Sequence, residues 1–172
     1  MKRLFMTLAL MMSFSAFAKG ALSTADVVKA QEAWGRGIVA IGQVFQDGGD
    51  FTAAASAHIK KHYDYAQGPV LFKPTLAAVV PFRASFESAL SYFVGGDSRW
   101  SEDTGFAIKP WTNVRFDNHQ IVTFGDRAIA MGHYYFTTLT GDEVKVEYTL
   151  GFVKRGNSVK IFLQDSSLPF QP

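Results

Sequence analysis

Strict alternation of apolar and polar positions marks the C-terminal half of the chain. Val144, Val146, Tyr148, Leu150 and Phe152 fall on one face of a strand, because successive side chains of an extended chain point to opposite sides. β-rich runs recur over about 106–117, 120–124, 127–138, 143–154 and 158–166, separated by the turn pairs Asn118-His119, Gly125-Asp126, Gly141-Asp142 and Gly156-Asn157. The first half reads differently. Ser23 stands as an N-cap with Asp26 three positions on, which predicts a helix from Thr24 to Gln46 that Asp47-Gly48-Gly49 ends. Asp50 caps a second helix through Tyr63. Gly68-Pro69 breaks the chain before a short strand over Val70-Leu71-Phe72, and Pro81 opens a third helix that runs to about Val94. Helices followed by consecutive hairpins predict an α+β fold with helices covering one face of an antiparallel sheet. Gly35 and Gly42 are seven apart in the first helix and share a face, as close packing against a sheet requires.

The last strand changes character along its length. Val159, Ile161, Leu163, Asp165 and Ser167 alternate onto one expected face, which begins apolar and ends in a carboxylate and a hydroxyl. Such a strand reads as the wall of a pocket or as a solvated strand end.

Composition narrows the choices. Lys2 and Arg3, the apolar run Leu4 to Met12 and the small-residue site Ala16-Phe17-Ala18 read as a secretory signal peptide of bacterial type over residues 1–18, with 19–172 as one domain. The expected location is periplasmic or secreted, with no membrane attachment after cleavage. Losing Lys2 and Arg3 from the 17 basic residues balances them against the 15 acidic ones, so the charge gives no support for nucleic-acid binding. With no cysteine there is no disulfide, thiol nucleophile or thiolate metal site. His58 and His62 have the four-residue spacing of zinc ligands, but Ile59-Lys60-Lys61 lies between them and no third ligand is evident; a solvated helix face is the expectation, and neither metal nor cofactor.

Several segments resemble a known family: Ala33-Trp34-Gly35, Gly68 to Thr75, Leu90 to Gly95, Lys109-Pro110-Trp111-Thr112, Val114-Arg115-Phe116, Val146-Glu147-Tyr148 and Ser166-Ser167-Leu168-Pro169. The chain is similar to exported SnoaL-like, nuclear-transport-factor-two-like proteins, in particular calmodulin-dependent-kinase association-domain-like proteins and iota-class carbonic anhydrases. That resemblance implies a cone: a curved antiparallel sheet wrapped around three N-terminal helices, with a pocket at the open end and a homodimeric assembly. It implies a small-molecule pocket, binding or weakly catalytic, of which metal-free CO2 hydration is the foremost activity. A non-catalytic association module is the alternative. Relatives of this kind often carry the name phosphoribosyl-AMP cyclohydrolase, an activity resting on a cysteine-built zinc site that this chain lacks.

The resemblance also implies roles. The family's terminal strand ends in histidines before Ser-Ser-Leu-Pro, and here Gln164 and Asp165 stand in their place. Ser167 carries over as a catalytic hydroxyl and Ser166 as a ligand contact. A carboxylate held inside an apolar cone is raised in pKa, so Asp165 becomes the candidate general base. Its structural alternatives are an exposed strand-end carboxylate or an ion pair with Arg115 or Arg83. Strand alternation, apart from the resemblance, puts Tyr135 on one face with His133 and Thr137, as a candidate hydroxyl donor or an aromatic core residue, and Tyr134 and Phe136 on the other with Ala128 and Ala130. Gln164, Thr75 and Trp111 are candidate ligand contacts, as are Arg115 and Glu147, which a cross-strand ion pair would join.

Overall fold

The computed structural model describes residues 20–172, so the signal peptide expected over 1–18 lies outside the described residues. Helix α1 (Thr24–Gln46) begins at the predicted cap: Ser23 and Asp26 exchange side-chain and backbone hydrogen bonds in a full capping box. Helix α2 (Phe51–His62) starts at Asp50, whose carboxylate accepts from the Ala53 amide. Helix α3 (Phe86–Val94) starts later than the sequence suggested. Its cap is Ser85 paired with Ser88, and Pro81 lies outside it in the preceding loop.

Five strands follow the order β1-β5-β4-β3-β2, with β1 at Leu71–Lys73, β2 at Asn113–Phe124, β3 at Arg127–Thr137, β4 at Glu143–Arg155 and β5 at Ser158–Ser167. β2 to β5 form an antiparallel meander, whereas β1 joins β5 in parallel, so the sheet is mixed where a purely antiparallel one was expected. The three helices and this curved, open sheet form the expected α+β cone.

Two boundaries correct the sequence reading. Asn118-His119 is a bulge within a continuous β2: Asn118 pairs with Gly132 and Gln120 with Met131, leaving His119 extra. Residues 106–112 are a connection with no strand structure. The Phe106 and Ala107 amides donate to the Tyr92 and Phe93 carbonyls at the end of α3, and Pro110 has no amide to offer a sheet. The expectation of close packing against the sheet holds for Gly35, while Gly42 packs against the non-strand connection. A Cβ at Gly35 would meet the Val114 carbonyl oxygen at 3.0 Å and one at Gly42 the Lys109 carbonyl oxygen at 2.8 Å, so α1 rests directly on β2 and the connection before it.

Aromatic side chains fill the space between helices and sheet. Trp34 of α1 lies within about 6 Å, centroid to centroid, of Phe106, Phe116, Tyr134 and Phe136. Among the described residues no helix is long and apolar enough to cross a membrane.

Candidate functional site

A second bulge decides which residues reach the inside. Phe152 pairs with Ile161 and Gly151 with Leu163, so Phe162 is extra in β5. Gly151 makes room for it: a Cβ there would stand 2.7 Å from the Phe162 ring. One inserted residue reverses the parity of everything beyond it. Val159 and Ile161 pack inward as expected, but after Phe162 it is Gln164 and Ser166 that are buried, at 5% and 2% exposure. Asp165 and Ser167 face out.

The inward residues line a cavity of about 120 Å³. Its apolar wall includes Trp34, Phe72, Phe106 and Phe136, and its rim includes Thr75, Leu76, Lys109 and Trp111. At the polar end Tyr134 and Ser166 share a short hydroxyl–hydroxyl hydrogen bond. The Gln164 amide and the Thr75 hydroxyl also stand against the Tyr134 hydroxyl. Burial raises the Tyr134 pKa, and hydrogen bonds from Ser166, Gln164 and Thr75 pull the other way. Tyr63 donates to Gln164 Oε1 at 2.6 Å and accepts from Trp34 Nε1 at 3.0 Å. Burial holds the Tyr63 and Tyr92 hydroxyls firmly protonated. The described lining holds hydroxyls, one amide and one ammonium, and neither a carboxylate nor an imidazole.

Of the sequence candidates, Gln164, Ser166, Thr75 and Trp111 come together here, with the Trp111 indole N–H anchored on the Phe106 carbonyl. The others do not. Asp165 is exposed and pairs with Lys73 at 3.1 Å, not with Arg115 or Arg83. Ser167 lies beside Glu147 and His133 in a shallow groove on the outer sheet face. Tyr135 is also outside, half-buried under the Arg115 guanidinium at 4.0 Å, while its neighbour Tyr134 takes the inner position. Arg115 pairs with Glu143 at 3.4 Å, so the expected Arg115–Glu147 pair is absent. The register places Glu147 opposite His133, too far along the strand.

Sequence reasoning missed Tyr134, Tyr63 and Trp34. A signal for Tyr134 existed: the alanines on its face suit the side of a sheet that helices press against. His58 and His62 are also corrected, because α2 turns both toward α1 and buries them to 6% exposure. His58 occupies the space that a side chain at Gly37 would need. Burial drives the His58 pKa far down and, with Lys61 nearby, that of His62 to about 4. No described cluster of three or more His, Cys, Asp or Glu residues is placed to hold a metal.

The mouth is held by a second polar cluster. Arg83 is fully buried, reaching Asp103 at 2.8 Å and Glu102 at 3.3 Å. Glu102 accepts from the amides of Ala78, Val79 and Val80, which hold its pKa down at about 2. This cluster fixes the loop that carries Thr75 and Leu76 to the rim.

Known proteins share this arrangement to different depths. The metal-independent carbonic anhydrase family matches residues 25–168. A metal-independent carbonic anhydrase of Nostoc sp. strain PCC 7120 is 39% identical over 156 residues, covering 88% of this chain and 76% of that protein. The crystal structure of a cyanobacterial iota-carbonic anhydrase complexed with bicarbonate superposes with a TM-score of 0.86 at 38% identity, covering 88% of this chain and 95% of that one. A putative calcium/calmodulin-dependent protein kinase II association domain from Xanthomonas campestris shares the fold alone, with a TM-score of 0.54 at 18% identity over 91% of this chain and 98% of that one. The match along nearly the whole described domain shows that this chain belongs to the metal-independent carbonic anhydrase family.

Proposed function

We propose that the protein interconverts carbon dioxide and bicarbonate in the aromatic cavity without a metal ion. The observation that carries this reading is the buried donor cluster of Tyr134, Ser166, Gln164 and Thr75 at the end of an otherwise apolar space of about 120 Å³. An apolar cavity suits a small neutral gas, and the hydroxyls suit the product. As a water oxygen attacks the carbon, one carbon–oxygen electron pair moves onto oxygen, where fixed donors stabilise the growing charge. Lys109 at the rim adds a positive charge that favours bicarbonate. The lining offers no carboxylate or imidazole, so the released proton leaves to solvent or buffer at the mouth. The cyanobacterial relative solved with bicarbonate supports the ligand class.

Stopped-flow CO2 hydration tests the reading. The expected result is a rate above buffer that rises with buffer concentration and falls sharply in Ser166→Ala. No rate above buffer would leave a bicarbonate-binding protein if the ion still raises the melting temperature. Neither rate nor binding would sink the reading. Export and pairing with a second copy belong to the same proposal, and the mature N-terminus by mass spectrometry and the mass by light scattering test them.

A further inference from the structure

Trp34 and Tyr63 line the cavity, and their mutual hydrogen bond also dictates what Gln164 can offer a ligand. An indole N–H only donates, so Trp34 fills an acceptor position on the Tyr63 oxygen. The buried Tyr63 proton must then go elsewhere, and Gln164 is where it goes. Only the amide oxygen can receive it. Turning the amide over would set its N–H2 against Tyr63 and leave the phenol proton with no acceptor, at the cost of a buried unsatisfied donor. The Gln164 N–H2 group is therefore held away from Tyr63, on a side chain that lines the cavity. Beside it the Tyr134 and Ser166 hydroxyls share one hydrogen bond in which either can donate, so the second hydroxyl proton of the pair is left for the cavity.

We infer that Trp34 and Tyr63 are positioning residues that fix Gln164 as a hydrogen-bond donor to a bound planar oxyanion, making the polar end of the cavity a donor wall selective for bicarbonate-like anions. The inference rests on the proposed carbon dioxide chemistry and specifies which ligand atoms Gln164 meets. A histidine at this position can take up a proton; a Gln164 amide held this way gives hydrogen bonds and takes no proton.

Isothermal titration with nitrate, a planar oxyanion that does not titrate near neutral pH, tests it. In Tyr63→Phe the amide is free to turn, and nitrate binding weakens about fivefold. Gln164→Met produces a similar loss, and combining it with Tyr63→Phe adds nothing further, because Tyr63 acts only through Gln164. A purely structural Tyr63 gives the opposite pattern: a lower melting temperature with unchanged nitrate affinity, or losses that add. That pattern overturns the inference. Gln164→Glu supplies an independent arm should Tyr63→Phe not fold. Its carboxyl can still accept from Tyr63 but turns a second oxygen on the ligand, so nitrate binding is lost at neutral pH and returns as acid protonates it, while the unsubstituted protein stays flat. Unaltered binding by Gln164→Glu at neutral pH also overturns the inference. Absence of both nitrate and bicarbonate binding in the unsubstituted protein sinks the underlying function along with it; normal binding that ignores Tyr63 sinks this inference alone.

Discussion

The two faces of β5 beyond Phe162 carry similar chemistry to opposite ends. On the outer face Asp165 and Ser167 are exposed, and the carboxylate meets Lys73 in solvent. On the inner face Gln164 and Ser166 are buried and each is wired to a tyrosine. The outer residues look more reactive on paper, since they include the only acid of the strand. The difference teaches that enclosure outranks side-chain type: a buried hydroxyl with its partners fixed keeps one orientation toward the cavity, whereas an exposed carboxylate is screened by water.

Ion pairs give that contrast its largest test. Arg83→Ala removes the partner of a buried Asp103 and should cost about 3–5 kcal/mol in denaturant unfolding, whereas Arg115→Ala on the outer face should cost about 0–1 kcal/mol. Equal losses would erase the distinction between the faces.

Histidine protonation comes next. The His62 pKa is depressed to about 4 by burial and neighbouring cationic charge, and that of His58 lies well below its ordinary value. The unfolded chain therefore binds more protons than the folded one below about pH 6.5, so stability falls as pH drops from about 6.5 to about 4. For His62 the loss is up to about 3 kcal/mol. A His62→Gln protein should show a flatter melting temperature across that window; an identical slope would mean the side chain is solvated after all. Glu102 acts in a separate, lower window. Its pKa is depressed from 4.5 to about 2, so its contribution is complete above 4.5 and disappears as pH falls toward 2. Glu102→Gln should remove that lower step in acid unfolding.

Catalysis sharpens the comparison further. Ser166→Ala should slow CO2 hydration about 100-fold, the loss typical of one fixed oxyanion donor. Asp165→Asn and Ser167→Ala should stay near the parent rate. A collapse of activity in Asp165→Asn would restore the outer face as the reactive one. The smallest effect concerns the bulge itself. Gly151→Ala forces a Cβ onto the Phe162 ring and should destabilise the fold by about 1–3 kcal/mol, read in denaturant unfolding.

Most of the architecture was written in local signals. Ser23 with Asp26 defined the start of α1, Gly125-Asp126 and Gly156-Asn157 turned two hairpins, and Gly35 marked the approach of α1 to β2. The site was legible only in part. Thr75, Trp111 and Ser166 were named from the resembling segments, and Gln164 from the place where the terminal strand departs from the family pattern. Asp165, Ser167 and Tyr135 were assigned to the wrong side, because strand parity is global: one extra residue inverts it, and the cause sits on the neighbouring strand at Gly151. No property of β5 alone shows that a glycine opposite will admit the Phe162 ring. The length of α3 was misjudged for a related reason. Pro81 is compatible with a helix start, but Arg83 is drawn down into its carboxylate partners before the helix begins.

The Phe162 bulge also separates what this strand spells from what it does. Losing or gaining one residue between the Gly156 turn and Gln164 would exchange a neutral donor lining for an acidic one, with the letters Gln-Asp-Ser-Ser unaltered. A lineage built on this sheet can thus switch between holding an anion and abstracting a proton by a change in spacing, with no change in vocabulary.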